Sequence, residues 1–176
     1  MNRSGTHSSP TACTTAGSRA ALETSSWVSV VRAYEECDQR FAQLLAEFDL
    51  SISQYDALAA IDALGTEAQP KAVAERLLVT RANVTGLLRR LEARSLIRVA
   101  SHHTDGRSVL CEIAPKGRAL LDRANTASAH FIQEQLKPFQ ADELALIRNM
   151  MKRLHDHLLT LNPVAIAAQS STGPRN

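Results

Sequence analysis

Six side chains between Thr80 and Arg90 could do chemistry together: Thr80, Arg81, Asn83, Thr85, Arg89 and Arg90. They surround Val84, Leu87, Leu88 and Leu91, whose spacing of three and four residues marks the inward face of one helix. A helix is narrow enough for the major groove of duplex DNA. There an arginine can pair bidentately with guanine and an asparagine with adenine, while further cations hold phosphates. Thr80, Arg81, Asn83 and Thr85 sit at the N-terminal end, the end that would enter the groove. Arg89 and Arg90 lie farther along, placed for phosphates or for pairing with Glu92. Each group also has a plainer reading: Thr80 as an N-cap, Arg81 and Asn83 as a solvated helix face. Gly86 costs a helix interior about 1 kcal/mol relative to alanine, so it permits a close approach, either to a neighbouring helix or to DNA.

The distribution of charge favours an acidic partner. The 176-residue chain has a net charge of only +2, but residues 71–118 hold ten Lys/Arg against four acids. The remainder is slightly acidic, so a basic middle sits inside an acidic frame, which points to a polyanion. Other classes find little support. There is no glycine-rich phosphate loop, G-x-S-x-G or H-E-x-x-H, so nothing proposes an enzyme. Cys13, Cys37 and Cys111 are odd in number and lack C-x-x-C spacing, which disfavours a disulfide framework or zinc ribbon and fits a reducing compartment. His155 and His157 point to different faces of a helix, and no metal or cofactor is expected. No stretch approaches a membrane span and no signal pattern opens the chain, so a cytoplasmic protein is expected.

The elements that must position the site are mainly helical. Residues 1–24, rich in Ser, Thr, Ala and Gly, read as a flexible tail, and so do residues 163–176. A long helix over 25–49, capped by Ser25 or Ser26, carries the stripe Trp27, Val30/Val31, Tyr34, Cys37, Phe41, Leu44/Leu45 and Phe48. Ser53 is expected to cap a second helix that Gly65 stops. Pro70 opens a third, ending near Leu77, and after a short turn Thr80 starts the fourth, reaching Arg94. Two helices joined by so short a turn have helix-turn-helix spacing. Residues 96–100 and 108–113 then read as strands of a hairpin around the polar stretch His102–Arg107. Pro115 opens a fifth helix to Leu136, and Asp142 is expected to cap a last one carrying Leu144, Ile147, Met150/Met151, Leu154, Leu158 and Leu161. The fold class is mainly α with a small β-hairpin wing. A lobe over 50–114 has its own core, and the helices over 25–49 and 115–162 keep apolar stripes that a second copy would bury, giving a homodimer.

Four segments in this order resemble the MarR family of bacterial winged-helix transcription regulators. They are Leu50 to Leu58, Val79 to Glu92, Asp105-Gly106-Arg107, and Ala114 to Leu120, within a resemblance spanning residues 27–161. The sequence departs from the family pattern at Ser95, where a glycine is usual, at Ala114 in place of threonine, and at Val99 in place of an arginine. The resemblance implies a transcriptional repressor that binds an inverted-repeat DNA operator, with a small-molecule effector as a further candidate partner. It implies that Lys71 touches the DNA backbone, although a solvated lysine is an equal reading, and that Arg107, at the wing tip, enters the minor groove. Asp105 would orient that tip by pairing with Arg81 or Arg107, although an Asp-Gly turn explains it equally well. By residue type, His102 and His103 are either solvated loop histidines or, below about pH 6.5, further phosphate contacts. An effector pocket would draw on helices 1, 2 and 5, with Tyr34, Phe41, Tyr55 and His130 as candidate lining, or else as core. Cys37 lies about ten residues from where one branch of the family carries a peroxide-sensing cysteine, and so reads as an inert helix-face thiol. Two alternatives belong to other classes: a winged-helix protein-interaction module, and a ligand or redox sensor with secondary DNA binding.

Overall fold

The computed structural model describes residues 13–101 and 109–170, and the chain forms two units, one ending at Ser128 and one beginning at Ala129. The first unit holds α1 (Cys13–Ala46), α2 (Ile52–Leu64), a 3₁₀ turn (Gly65–Glu67), α3 (Pro70–Leu77), α4 (Arg81–Ala93), β1 (Ile97–Ser101), β2 (Val109–Ile113) and the start of α5 (Pro115–Leu136). The second holds the end of α5, α6 (Ala141–Leu158) and α7 (Pro163–Ser170). The architecture is mainly helical with a single antiparallel hairpin among the described residues, as the sequence pattern predicts.

The first unit closes a core of its own. Val84, Leu87, Leu88 and Leu91 of α4 are all buried, beside Leu58 and Ile61 of α2 and Val73 and Ala74 of α3. Leu45 of α1 and Leu121 of α5 are also fully covered. The hairpin pairs Ile97 with Ile113 and Val99 with Cys111, and the Cys111 N–H donates to the Ala68 carbonyl at 2.8 Å, tying the wing base to the turn before α3. Cys111 is fully buried, and burial, with Glu92 next in importance, pushes its thiol up to about 11, which keeps it protonated and unreactive. Gly117 is required by packing: a Cβ there would collide with the Leu96 carbonyl oxygen. That carbonyl accepts the Ala114 N–H at 3.0 Å, so α5 starts hard against the turn that ends α4.

Four expectations need correction. The long first helix begins at Cys13 rather than at Ser25 or Ser26, so residues 13–24 of the expected tail are helical. Their lack of large apolar groups bears on burial, not on helix propensity. Ala20 and Ala21 favour the helix, Arg19 pairs with Glu23 at 2.8 Å, and the Thr24, Ser25 and Ser29 hydroxyls donate to carbonyls three or four residues earlier instead of capping. The cap of α2 is Ser51, not Ser53, in a capping box with Gln54. The cap of α6 is Gln140, not Asp142, and its backbone N–H donates to the Glu143 carboxylate at 2.7 Å. Finally, Asn162-Pro163 starts a helix where a tail was expected: the Asn162 side chain accepts the Val164 and Ala165 N–H groups at 3.1 Å, and Pro163 occupies the first helical position.

Candidate nucleic-acid interface

The N-terminus of α4 is built by Thr80. Its backbone is extended (φ −71°, ψ 153°), and its hydroxyl oxygen accepts the Asn83 N–H at 3.3 Å. The cap reading of Thr80 is therefore observed. From this start, the 3.6-residue period sends Val84, Leu87, Leu88 and Leu91 inward and leaves Arg81, Asn83, Thr85, Arg89 and Arg90 exposed on the other side. The Thr85 hydroxyl donates to the Arg81 carbonyl at 2.9 Å, which leaves its lone pairs outward as acceptors. Among the described residues, Arg81, Arg89 and Arg90 form no ion pair. The expected Glu92 partnership with Arg89 or Arg90 is not formed: a Glu92 carboxylate oxygen instead accepts the Val99 N–H at 3.1 Å, joining α4 to β1. Lys71 is exposed at the start of α3 and lies 3.7 Å from Glu75, a pairing between two open side chains that is worth little in water. Asp105 and Arg107, like His102 and His103, lie outside the described residues.

The turn before α4 holds features that residue types alone do not reveal. Leu78 adopts a left-handed conformation (φ 54°) as the C-cap of α3, and its side chain is 93% exposed, with Val79 beside it also open. An apolar pair is thus presented next to Thr80 and Arg81. Gly86 has only Arg90 near the position of a Cβ, so among the two readings of this glycine the close approach is not to a neighbouring helix. It opens a groove of about 450 Å³ between α2 and α4, lined by Ser53, Asp56, Asn83 and Arg90 over Leu77 and Leu87. Burial, and secondarily Asp38, raises the pKa of Asp56 at the groove wall.

The residues expected to line a ligand pocket fare unevenly. Phe41 and Tyr55 meet edge to face with ring centres 5.6 Å apart, and the Tyr55 hydroxyl donates to Asn125 Oδ1 at 2.9 Å. Tyr34 is 69% exposed and His130 is exposed in the second unit, so neither is core. Cys37 is an exposed thiol on α1. No group of three or more metal-ligating side chains occurs among the described residues, and no helix there is long and apolar enough to cross a membrane.

A capped helix with a cationic, amide-bearing outer face, preceded by a second helix and followed by a hairpin, defines a winged helix-turn-helix protein of the DNA-binding class. Residues 48–108 match the model of the MarR family. The regulator PecS of Dickeya dadantii is 25% identical over 124 residues, covering 69% of this chain and 75% of its own. The transcriptional repressor NicR of Pseudomonas putida is 25% identical over 125 residues, covering 71% and 78%. Among solved structures, Bordetella bronchiseptica BpsR, whose DNA binding is regulated by 6-hydroxynicotinic acid, superposes with a TM-score of 0.63 at 26% identity, covering 72% of this chain and 90% of that one. These likenesses support a winged-helix regulator of the MarR type, with the family match lying over residues 48–108.

Proposed function

We propose that this protein is a homodimeric, sequence-specific repressor that binds an inverted-repeat operator and is released from it by a small-molecule effector. The observation that carries the reading is the outer face of α4, where Arg81, Asn83 and Thr85 are exposed beside the capped N-terminus while every apolar residue opposite is buried. Arg81 and Asn83 read base edges. Thr80, Thr85, Arg89, Arg90 and Lys71 hold phosphates, the first helped by the partial positive charge at the helix start. Asp105 and Arg107 belong to this reading through the sequence pattern, with Arg107 in the minor groove. The terminal helices, over 25–49 and 115–162, bring two lobes together so that their recognition helices lie about one DNA turn apart, roughly 34–36 Å. Repression is supported by the likeness to NicR, a transcriptional repressor, and an effector by the likeness to BpsR, whose DNA binding responds to 6-hydroxynicotinic acid. The effector acts only through unequal affinity for the dimer states that do and do not fit that spacing.

The test is specificity rather than affinity alone. Arg81→Ala should lose about 1–3 kcal/mol at one base position and relax the preference there. Equal weakening on specific and random duplexes would remove the base-reading role. Arg107→Ala should lose affinity in proportion to the A·T content under the wing, and indifference to that content would reduce Arg107 to a phosphate contact.

A further inference from the structure

The recognition helix ends beside a second strained corner. Asp49, after α1, has φ +53°, and Ser95, after α4, has φ +58°. Both are left-handed conformations that are unfavourable for a residue with a Cβ, so something in the surroundings must hold them. Arg94, the C-cap of α4, connects the two. Its Nη1 donates to the Asp49 carbonyl at 2.6 Å and to Gln54 Oε1 at 3.3 Å. That same Oε1 accepts the Ser51 N–H at 3.0 Å, so one carboxamide oxygen both closes the capping box of α2 and holds the guanidinium. From the other side, Lys116 Nζ at the start of α5 donates to the Arg94 carbonyl at 3.1 Å. Arg94 is half-buried, whereas Arg81, Arg89 and Arg90 on the same helix are open. The guanidinium at the end of α4 is thus bound to oxygens on two neighbouring segments, and the Arg94 carbonyl accepts from a third.

We propose that Arg94 is a positioning residue that fixes the recognition helix against the end of α1 and the start of α2, so that a shift of α1 is carried to the DNA-reading face. A short, charge-assisted hydrogen bond is directional, and it joins two corners that each have one narrow backbone solution. The proposal rests on the DNA-reading role given to α4 above. It adds that the link between α1 and that face runs through a single guanidinium rather than through the apolar core alone.

The test compares the full chain with Arg94→Ala, Arg94→Lys and Arg94→Gln in two measurements. The first is affinity for a selected operator across a range of salt. Arg94→Ala should bind about tenfold more weakly, with a salt slope parallel to the unsubstituted protein because no phosphate contact is lost. Lysine, which keeps the charge but concentrates its donors on one compact nitrogen, should recover only part of that loss. A slope smaller by about 0.9 would make Arg94 a phosphate contact, and undiminished affinity would remove any role; either result overturns the proposal. The second measurement is hydrogen exchange in the free protein at the Leu50 and Leu96 amides, which bond to the Leu45 and Leu91 carbonyls at the two corners. Both should exchange faster in Arg94→Ala, and in Arg94→Gln if the alanine variant does not fold. Unchanged exchange at the Leu50 corner overturns the coupling. Should the unsubstituted protein show no sequence preference, the DNA-reading role fails, and the exchange measurement still decides whether Arg94 joins the corners.

Discussion

The lobe around α4 and the helix α6 treat the same residue types in opposite ways. In the lobe, Leu58, Leu91, Leu96 and Leu121 are covered completely, and the hairpin and α5 start are tied to the turns beside them. Along α6, no residue is buried, and Leu146, Met150, Met151 and Leu158 stand open at helical spacing. Trp27 and Leu22 do the same on the first half of α1. An isolated apolar stripe of this length has no reason to persist in water. The contrast separates the first unit, whose core closes with Leu45 of α1 and Leu121 of α5, from α6, whose apolar side chains stay open. In the proposed dimer, a second copy covers them.

Substitutions can break or sharpen the contrast. The largest effect belongs to the lobe: Leu91→Ala should cost about 2–5 kcal/mol in denaturant unfolding, because a fully enclosed side chain leaves a cavity. Leu158→Lys, on α6, should leave the unfolding of dilute protein unchanged. Sedimentation should nevertheless show self-association at least about tenfold weaker, since the ammonium must be desolvated at the interface. Equal loss of fold from both would erase the distinction between the regions. Thr80→Ala should remove about 1 kcal/mol from the lobe through the lost cap, with thermal unfolding as the readout. A tighter rather than weaker complex with DNA would contradict its dual role.

The smallest effect is on the α2–α4 groove. Burial holds the folded-state pKa of Asp56 above its unfolded value, so the charged carboxylate disfavours the fold, and stability falls as pH rises through the two values. Asp56→Asn should therefore raise the melting temperature at neutral pH, with the gain fading as pH drops below about 4, where both states bind the proton. A gain that grew on acidification would mean that Asp56 is stabilised as the anion.

Much of the lobe was legible because periodicity reports burial directly. The inward set Val84, Leu87, Leu88 and Leu91 follows from spacing alone, and Thr80 and Pro115 mark their helix starts by residue type. The helix ends at the tails were not legible, since a polar, alanine-rich stretch is helical by propensity without any apolar pattern to announce it. Ser95 could be singled out where the family usually has glycine, and it does take a left-handed backbone, but nothing in the type of Leu78 foretells the same conformation. The exposed face of α4 was readable as a set of side-chain types. The tie made by Arg94 was not, because its acceptors lie 45 and 40 residues away in sequence and one of them is a backbone carbonyl.

In the proposed assembly, two copies of this chain read DNA through α4. Selection of bound sequences from a pool of random duplexes at two salt concentrations tests it most directly. The expected result is an enriched inverted repeat with half-site centres about 10 base pairs apart, and an affinity that falls steeply as salt rises. Binding that is blind to sequence, or enrichment of a single half-site without its repeat, would contradict it.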